Sequence, residues 1–398
     1  MNIGLDIRSL AQRARTGVGE YTIGLLDALF KIDQQNNYYL FYNSAGNTAK
    51  FLPQWKQNNL TYISGRWPNK LFNLSQKLLR QPKIDNYLRQ KTGRQIDWFF
   101  SPNINFTSLS KKTKYILTVH DFAFNFYPKF FSARQRIWHQ AVNFKKQCQR
   151  ADVILAPSQN TKNDIVKNYQ INPEKIFVIY PACSSNFTAL NKSNDNQSEI
   201  IAFRKKYNLP DKYILFLGAF EPRKNIIGLI EAYEKMLAKY GFNQIQHYLV
   251  LAGADGWKNK DVRRKLKKTV WRDYIKCLGY VNHQDKPKLY QLASLFVYPS
   301  FYEGFGLPVL EAMQSETPVI ASNRSSLPEV TANGAILINP NKTDEITRAM
   351  KLILTDKNLS DYLINQGKIQ SQKFNWQNSA EQFLKIINPS PRQKPRDV

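Results

Sequence analysis

Short apolar runs alternate with amphipathic stretches along the whole chain. The opening Asn2-Ile3-Gly4-Leu5-Asp6-Ile7 reads as a strand. Further runs fall at Trp98 to Phe100, Tyr115 to Val119, Val153 to Ala156, Ile176 to Tyr180, Tyr213 to Leu217, Tyr248 to Ala252, Leu295 to Tyr298 and Pro318 to Ala321. Several end at Gly, Pro or Ser and lead into helical spacing, as in Tyr21 to Phe30 after the first strand. Strands buried on both faces and joined by helices have this signature. The pattern predicts two α/β domains. The polar stretch Ser184 to Ser198, rich in Asn and Ser, reads as the linker between them. Ala380, Phe383, Leu384 and Ile387 recur at helical spacing after Phe374-Asn375-Trp376, so an amphipathic helix follows the second domain. Residues 389–398, with three prolines and mixed charge, are expected to be disordered.

Length and composition agree with this division. A chain of 398 residues exceeds the usual size of one core, and 42% hydrophobic residues are enough to fill two. Cys148, Cys183 and Cys277 have no paired spacing that suggests zinc or redox chemistry, so they are expected to be ordinary buried thiols in a reducing compartment. The N-terminus lacks a charged and then apolar leader, and no apolar run is long enough to cross a bilayer.

Charge changes the picture more. With 57 Lys and Arg against 30 Asp and Glu, the net charge is +27, which calls for an anionic partner: phosphorylated ligands, acidic lipid or nucleic acid. Residues 1–190 hold 26 basic and 10 acidic side chains, so 26 − 10 gives +16; the remaining 31 − 20 gives +11. The first half is the more basic.

In open α/β sheets, ligands collect beyond the carboxyl ends of the strands, and four segments at such positions carry chemistry. The first is Gly17-Val18-Gly19, in the loop after the opening strand, which is either a plain turn or a phosphate contact. The second is His120-Asp121 after Val119, where a lone His is most often structural. Arg223-Lys224 forms the third; the two cations either clamp a diphosphate, Arg as a fork and Lys as a point charge, or are simply a solvated pair. The fourth runs Ser300-Phe301-Tyr302-Glu303-Gly304-Phe305-Gly306-Leu307-Pro308-Val309-Leu310-Glu311. Gly304 and Gly306 permit a sharp turn, and Pro308 suits the first helical position. The amides of Phe305, Gly306 and Leu307 then face outward at the positive helix end, which suits a phosphate. Glu311, expected in the first turn, reaches a neighbouring hydroxyl or merely complements the helix dipole, and Glu303 enters from the strand end.

In order and wording these segments resemble glycosyltransferase family 4, retaining enzymes of the GT-B fold. The resemblance rests on Thr16-Gly17-Val18-Gly19-Glu20-Tyr21, Val119-His120-Asp121, Gly218-Ala219-Phe220-Glu221-Pro222-Arg223-Lys224-Asn225, Gly279-Tyr280-Val281 and the segment from Glu303 to Glu311. Ala151-Asp152-Val153-Ile154 with Pro157-Ser158, and Leu327-Pro328-Glu329-Val330, also match, so nearly the whole chain is covered. The wording is closest to the bacterial mannosyltransferase-like group 1 enzymes that build surface polysaccharides.

The resemblance implies a GT-B architecture: two Rossmann-like doubly wound domains facing across a cleft, with a C-terminal helix crossing back to the N-terminal domain. The expected division is an acceptor-binding domain at 1–185, a linker at 186–199, a nucleotide-sugar domain at 200–375, the crossover helix at 376–388 and the tail at 389–398. Arg223 and Lys224 would neutralise the donor diphosphate, with Gly17, Gly19 and the Phe305, Gly306 and Leu307 backbone cradling the same region. Glu311 would hold the ribose, Val281 would lie against the base, Glu303 would hold hydroxyls of the transferred sugar, and His120 would contact that sugar near its reacting carbon. The family's precedent is front-face attack, in which the departing phosphate oxygen accepts the acceptor's proton. No Asp-any-Asp motif points to a metal, and the basic pair can replace one, so no cofactor is expected beyond a sugar-nucleotide donor, with GDP-mannose first and UDP-hexoses second. The acceptor would be a glycan or polyprenyl-linked oligosaccharide. The expected location is cytoplasmic, peripheral on the cytosolic face of the plasma membrane.

Residues 66–94 carry eight Lys and Arg with a single acid, Asp85. Leu71, Leu74, Leu78 and Leu79 share a helical face beside Trp67 and Phe72, with Lys70, Lys77 and Arg80 around them. Such a helix either lies in an anionic membrane interface or packs on the core by its leucines. Two rival functions use the same features. A nucleic-acid-binding protein would use the charge, but no helix-turn-helix, zinc-finger or aromatic RNP signature is present, so no specific nucleic-acid partner is expected. An inactive sugar-nucleotide sensor would keep the donor site, whose positions are all chemically intact.

Overall fold

The structure is a computed structural model and describes residues 1–11, 17–43, 48–187 and 197–388. Thr16, most of the expected linker and all of the expected tail at 389–398 lie outside the described residues. Two compact units emerge. The first comprises Met1–Phe122, Arg134–Ala182 and the chain from Asn375 onward, and the second comprises Ala123–Ala133 and Cys183–Phe374. Residues 123–133, inside the stretch expected to be wholly N-terminal domain, thus pack with the second unit.

The first unit is built on a seven-stranded sheet: β1 (Asn2–Asp6), β2 (Asn37–Asn43), β3 (Leu60–Gly65), β4 (Trp98–Ser101), β5 (Lys114–Thr118), β6 (Val153–Ala156) and β7 (Ile176–Val178). All pair in parallel in the order β3-β2-β1-β4-β5-β6-β7. The second holds β8 (Tyr213–Leu217), β9 (Tyr248–Ala252), β10 (Ile275–Gly279), β11 (Leu295–Tyr298), β12 (Val319–Ser322) and β13 (Ala335–Ile338), also parallel, in the order β10-β9-β8-β11-β12-β13. Both are doubly wound, and each reverses direction once: between β1 and β4 in the first sheet and between β8 and β11 in the second. Crevices for ligands open at such reversals.

Four strands, β2, β3, β10 and β13, have no counterpart among the apolar runs read from the sequence. Three of them are sheet edges with mixed exposure. Polar residues break the runs of β3 and β10, whereas β13 is a four-residue apolar stretch, Ala335-Ile336-Leu337-Ile338, that is only partly buried. The fourth, β2, is central but fills its place largely with tyrosines, as in Asn37-Tyr38-Tyr39-Leu40-Phe41-Tyr42-Asn43. The cysteines also depart from expectation: Cys148 is buried, Cys183 only partly so, and Cys277 is exposed on the edge strand β10. No described helix is long and apolar enough to cross a membrane.

The expected helix after Phe374 forms as Trp376–Ile387, capped by the Asn375 side chain, and belongs to the first unit. It lies on helix α1 (Gly17–Ile32). A Cβ on Gly24 would come within 2.2 Å of the Trp376 ring, so only glycine allows this approach. Phe383 is fully buried with its ring 5.0 Å from that of Phe100 on β4, and Ser379 Oγ donates to the Tyr180 carbonyl at 2.6 Å. A helix near the end of the sequence therefore completes the core of the first sheet. Replacing Phe383 with Ala should cost about 3–5 kcal/mol, read as a lowered denaturation midpoint; an unchanged midpoint would show that the helix is an accessory.

Candidate functional site

In the second unit, the strand reversal brings together the loops that follow β8 and β11. After β8, Pro222–Lys224 forms a single 3-10 turn that ends at Asn225, which is left-handed at φ 56° and opens the Ile226–Tyr240 helix. The Asn225 side chain donates to the Pro340 carbonyl at 2.7 Å, tying the turn down. After β11, the Phe301 amide donates to the Arg223 carbonyl at 2.9 Å, which locks one loop to the other.

Between these loops lies a buried ion cluster. Lys224 Nζ donates to Glu303 Oε1 at 2.7 Å and to the Tyr298 hydroxyl at 2.6 Å. Arg223 Nη1 donates to Glu303 Oε2 and to the Tyr302 carbonyl, each at 3.0 Å, while its Nη2 reaches Glu221 Oε1 at 2.8 Å. Ser300 Oγ also donates to Glu303 Oε1. Side-chain exposures are 14% for Arg223, 10% for Lys224, 8% for Glu303 and 3% for Glu221. Burial alone would raise the Glu303 pKa, but the charges of Arg223 and Lys224 outweigh it and hold the carboxyl near about 2. Burial and the Arg223 charge push the Lys224 ammonium down, opposed by Glu303 and Glu221. The basic pair is thus no solvated surface feature. Two cations face two carboxylates in a nearly dry pocket, where electrostatic interactions are strong.

The same loop turns into a helix. Gly306, at φ 110°, is the N-cap of Leu307–Gln314. Pro308 is the second helical residue, not the expected first, and Glu311 is the fifth, one residue further in than expected and just past the first turn, because the helix starts at Leu307. Glu311 is nevertheless firmly held in place. It is buried, accepts from the Tyr290 hydroxyl at 2.9 Å and lies 3.7 Å from Lys286 Nζ. Ser326 Oγ fixes the approach to the helix by donating to the Glu303 and Phe305 carbonyls at 3.0 and 2.8 Å. The first turn of a helix leaves amides without intrahelical partners, so Phe305, Gly306 and Leu307 sit at an anion-favouring end. Val281, buried beside exposed Tyr280, follows β10, two strands from β8. Phe126, Tyr127 and Phe130 wall the Glu303 loop by packing on Phe301 and Tyr302.

The first unit holds the other expected residues. Gly17, Val18 and Gly19 are the first turn of α1, not a loop ahead of it. Tyr21, one residue beyond Glu20, meets the His120 ring edge-on at 4.9 Å, so the start of α1 and the end of β5 converge. His120 Nε2 lies 2.7 Å from the Pro102 carbonyl, an acceptor, so Nε2 carries the proton and Nδ1 is the acceptor nitrogen. Burial pushes the imidazolium pKa down, outweighing the Pro102 carbonyl and the Asp121 charge. This direction favours the neutral imidazole.

Sequence reading missed five contributors. Glu221 and Ser300 stand inside the quoted segments without a role, Tyr298 reads only as a strand end, and Tyr290 and Lys286 give no local signal because their link to Glu311 forms in space. Among the described residues, no group of three or more His, Cys, Asp or Glu side chains could hold a metal ion.

Comparison with known proteins agrees with this geometry. Over 380 residues the chain is 29% identical to O-antigen chain mannosyltransferase B of Escherichia coli, covering 93% of this chain and 95% of that protein. It is 33% identical over 255 residues to the serotype-specific mannosyltransferase WbdA of Escherichia coli, which is 63% of this chain but only 31% of WbdA. The crystal structure of Anabaena Alr3699/HepE in complex with UDP and glucose superposes with a TM-score of 0.69 at 17% identity, covering 98% of this chain and 99% of that one. Residues 16–186 match the model for Glycosyltransferase Family 4, and residues 197–370 match that for Glycosyl transferases group 1. With both of its sheets accounted for in this way, the chain belongs to glycosyltransferase family 4, hexosyltransferases of the GT-B fold.

Proposed function

We infer that the chain moves mannose from GDP-mannose to a growing lipid-linked or free oligosaccharide with retention of anomeric configuration, on the cytosolic side of a membrane, in the building of a surface polysaccharide. The observation that carries this reading is the Arg223, Lys224 and Glu303 cluster at the strand reversal, beside the start of the Leu307–Gln314 helix. The mannose assignment draws support from the relatives that are named mannosyltransferases. A UDP-hexose is the alternative donor.

The chemistry follows from charge. Bond cleavage leaves negative charge on the diphosphate and positive charge on the sugar ring. Arg223, Lys224 and the amides of Phe305, Gly306 and Leu307 offset the first. Glu303 takes sugar hydroxyls, and its fixed negative charge favours the developing positive ring. Glu311, oriented by Tyr290 and Lys286, takes the ribose, and Val281 lies against the base. For Gly17, Gly19 and His120, which lie in the first unit, the roles are those the family resemblance implies: the diphosphate for the glycines, and the sugar near its reacting carbon for the histidine. Following the family's precedent, the acceptor attacks from the face the diphosphate leaves, and a phosphate oxygen takes its proton.

An arriving diphosphate must share Arg223 and Lys224 with Glu303. Replacing Lys224 with Ala should lower turnover at least ~100-fold with circular dichroism unchanged; full activity would remove Lys224 from the site. Glu303→Gln should bind the nucleoside diphosphate product more tightly than the wild type while losing turnover, and weaker binding by calorimetry would contradict the competition.

Donor identity is read by thermal shift with GDP-, UDP-, dTDP- and ADP-sugars. GDP-mannose should give the largest stabilisation, lost in Glu311→Ala; a larger shift with a UDP-sugar would move the assignment to UDP-hexose, and no shift with any donor would overturn the transferase site.

The cluster also sets an acid limb. Because the folded pKa of Glu303 is depressed to about 2 from 4.5, its stabilisation is complete above pH 4.5 and is lost as pH falls toward 2. The stability gap between wild type and Glu303→Gln, on the order of 3 kcal/mol near neutrality, should narrow in urea melts below pH 4.5; a constant gap would show that the carboxylate is not held by charge.

A further inference from the structure

Helix α2 (Asn69–Leu78) is held to its unit by the wrong residues for an ordinary surface helix. Its buried positions are Phe72 and Gln76. Phe72 stacks on Trp67 at 5.2 Å and lies under the Arg8 guanidinium. Gln76 acts as a polar pin: its side chain donates to the Pro82 carbonyl at 2.7 Å and accepts from the Ser108 amide at 2.8 Å. The leucines do not serve as the anchor. Leu71, Leu74, Leu78 and Leu79 are 63%, 52%, 65% and 72% exposed, so the apolar stripe faces away from the core. Core packing by these leucines, the alternative left open by the sequence, is excluded.

The exposed charges of residues 66–94 are of one sign only. Arg66, Lys70, Lys77 and Arg80 are exposed, as are Arg89, Lys91 and Arg94 on and after the Ile84–Thr92 helix that follows. None of these seven joins an ion pair among the described residues. The segment's single acid, Asp85, is turned inward, accepting from the Ser110 amide at 2.9 Å and the Thr113 hydroxyl at 3.0 Å. Four adjacent exposed leucines are costly in water, and unbalanced cations around them would repel one another. Both costs are relieved by the same surface, an apolar interior beneath a layer of negative headgroups.

We propose that α2 is the membrane-docking element of this chain, inserting Leu71, Leu74, Leu78 and Leu79 among the acyl chains of an anionic phospholipid bilayer while Lys70, Lys77 and Arg80 engage the headgroup phosphates. The proposal extends the reading of a lipid-linked acceptor, yet its test reads lipid binding without sugar transfer, so either can fail alone. A second copy of the chain is the competing occupant, but the exposed like charges of Lys70, Lys77 and Arg80 on and beside the same helix oppose self-association.

The experiment is co-sedimentation of the full chain with phosphatidylcholine vesicles, with and without about one-third phosphatidylglycerol, at low and high salt. Binding is expected to the anionic vesicles, weakened but not abolished by salt. It should fall at least ~tenfold in the quadruple variant Leu71→Ser, Leu74→Ser, Leu78→Ser, Leu79→Ser, and separately in Lys70→Gln, Lys77→Gln, Arg80→Gln. Both variants should keep the wild-type melting temperature and its shift by the donor, since none of these residues is in the donor site. Absence of wild-type binding, undiminished binding by the leucine variant, or a wild-type dimer in sedimentation velocity that the leucine variant loses would each overturn the proposal.

Discussion

A single carboxylate held between two cations organises the second unit. Glu303 accepts from Arg223 and Lys224 through its two oxygens, and Ser300 donates to the one shared with Lys224. Burying such charges is costly unless each is paired and hydrogen-bonded, and here the remaining donors and acceptors are met by Glu221, Tyr298 and the Tyr302 carbonyl. The pairing fixes the loop after β8 to the loop after β11, and that in turn sets where the Leu307–Gln314 helix begins. A cluster that is charge-balanced by its own carboxylates stays folded by itself and still offers two cations to a phosphate group able to compete for them.

The rest of the fold serves to put these loops side by side. Parallel strands buried on both faces make the sheet rigid, and the reversal of strand order leaves a gap at their carboxyl ends. The first sheet repeats the arrangement, and there the start of α1 and His120 meet through Tyr21. The late Trp376–Ile387 helix seals that sheet's core against α1, where Gly24 yields the space that the Trp376 ring occupies.

Much of this could be read from the residues before any coordinates. Continuous apolar runs marked the central strands because those strands are buried on both faces, and glycines beside carboxylates marked the loops at their ends. Edge strands such as β3 and β10 were hidden because one side faces water, which breaks the run. The register of the Leu307–Gln314 helix was off by a residue, since Pro308 is compatible with either of the first two positions. Tyr290 and Lys286 could not be found at all, because their contact with Glu311 depends on how one helix lies over another. The leucines of α2 had the opposite difficulty: the periodicity was plain, but whether the stripe faced in or out was settled by Phe72 and Gln76, whose partners Arg8 and Ser108 are distant in sequence.

The most direct test of the central claim is a crystal structure with bound nucleoside diphosphate. The account requires the diphosphate oxygens within hydrogen-bond distance of Lys224 Nζ, Arg223 and the amides at the start of the Leu307–Gln314 helix, with the ribose hydroxyls on Glu311. A diphosphate bound elsewhere, with the Lys224 to Glu303 contact at its present 2.7 Å and Glu311 untouched by the ribose, would contradict it.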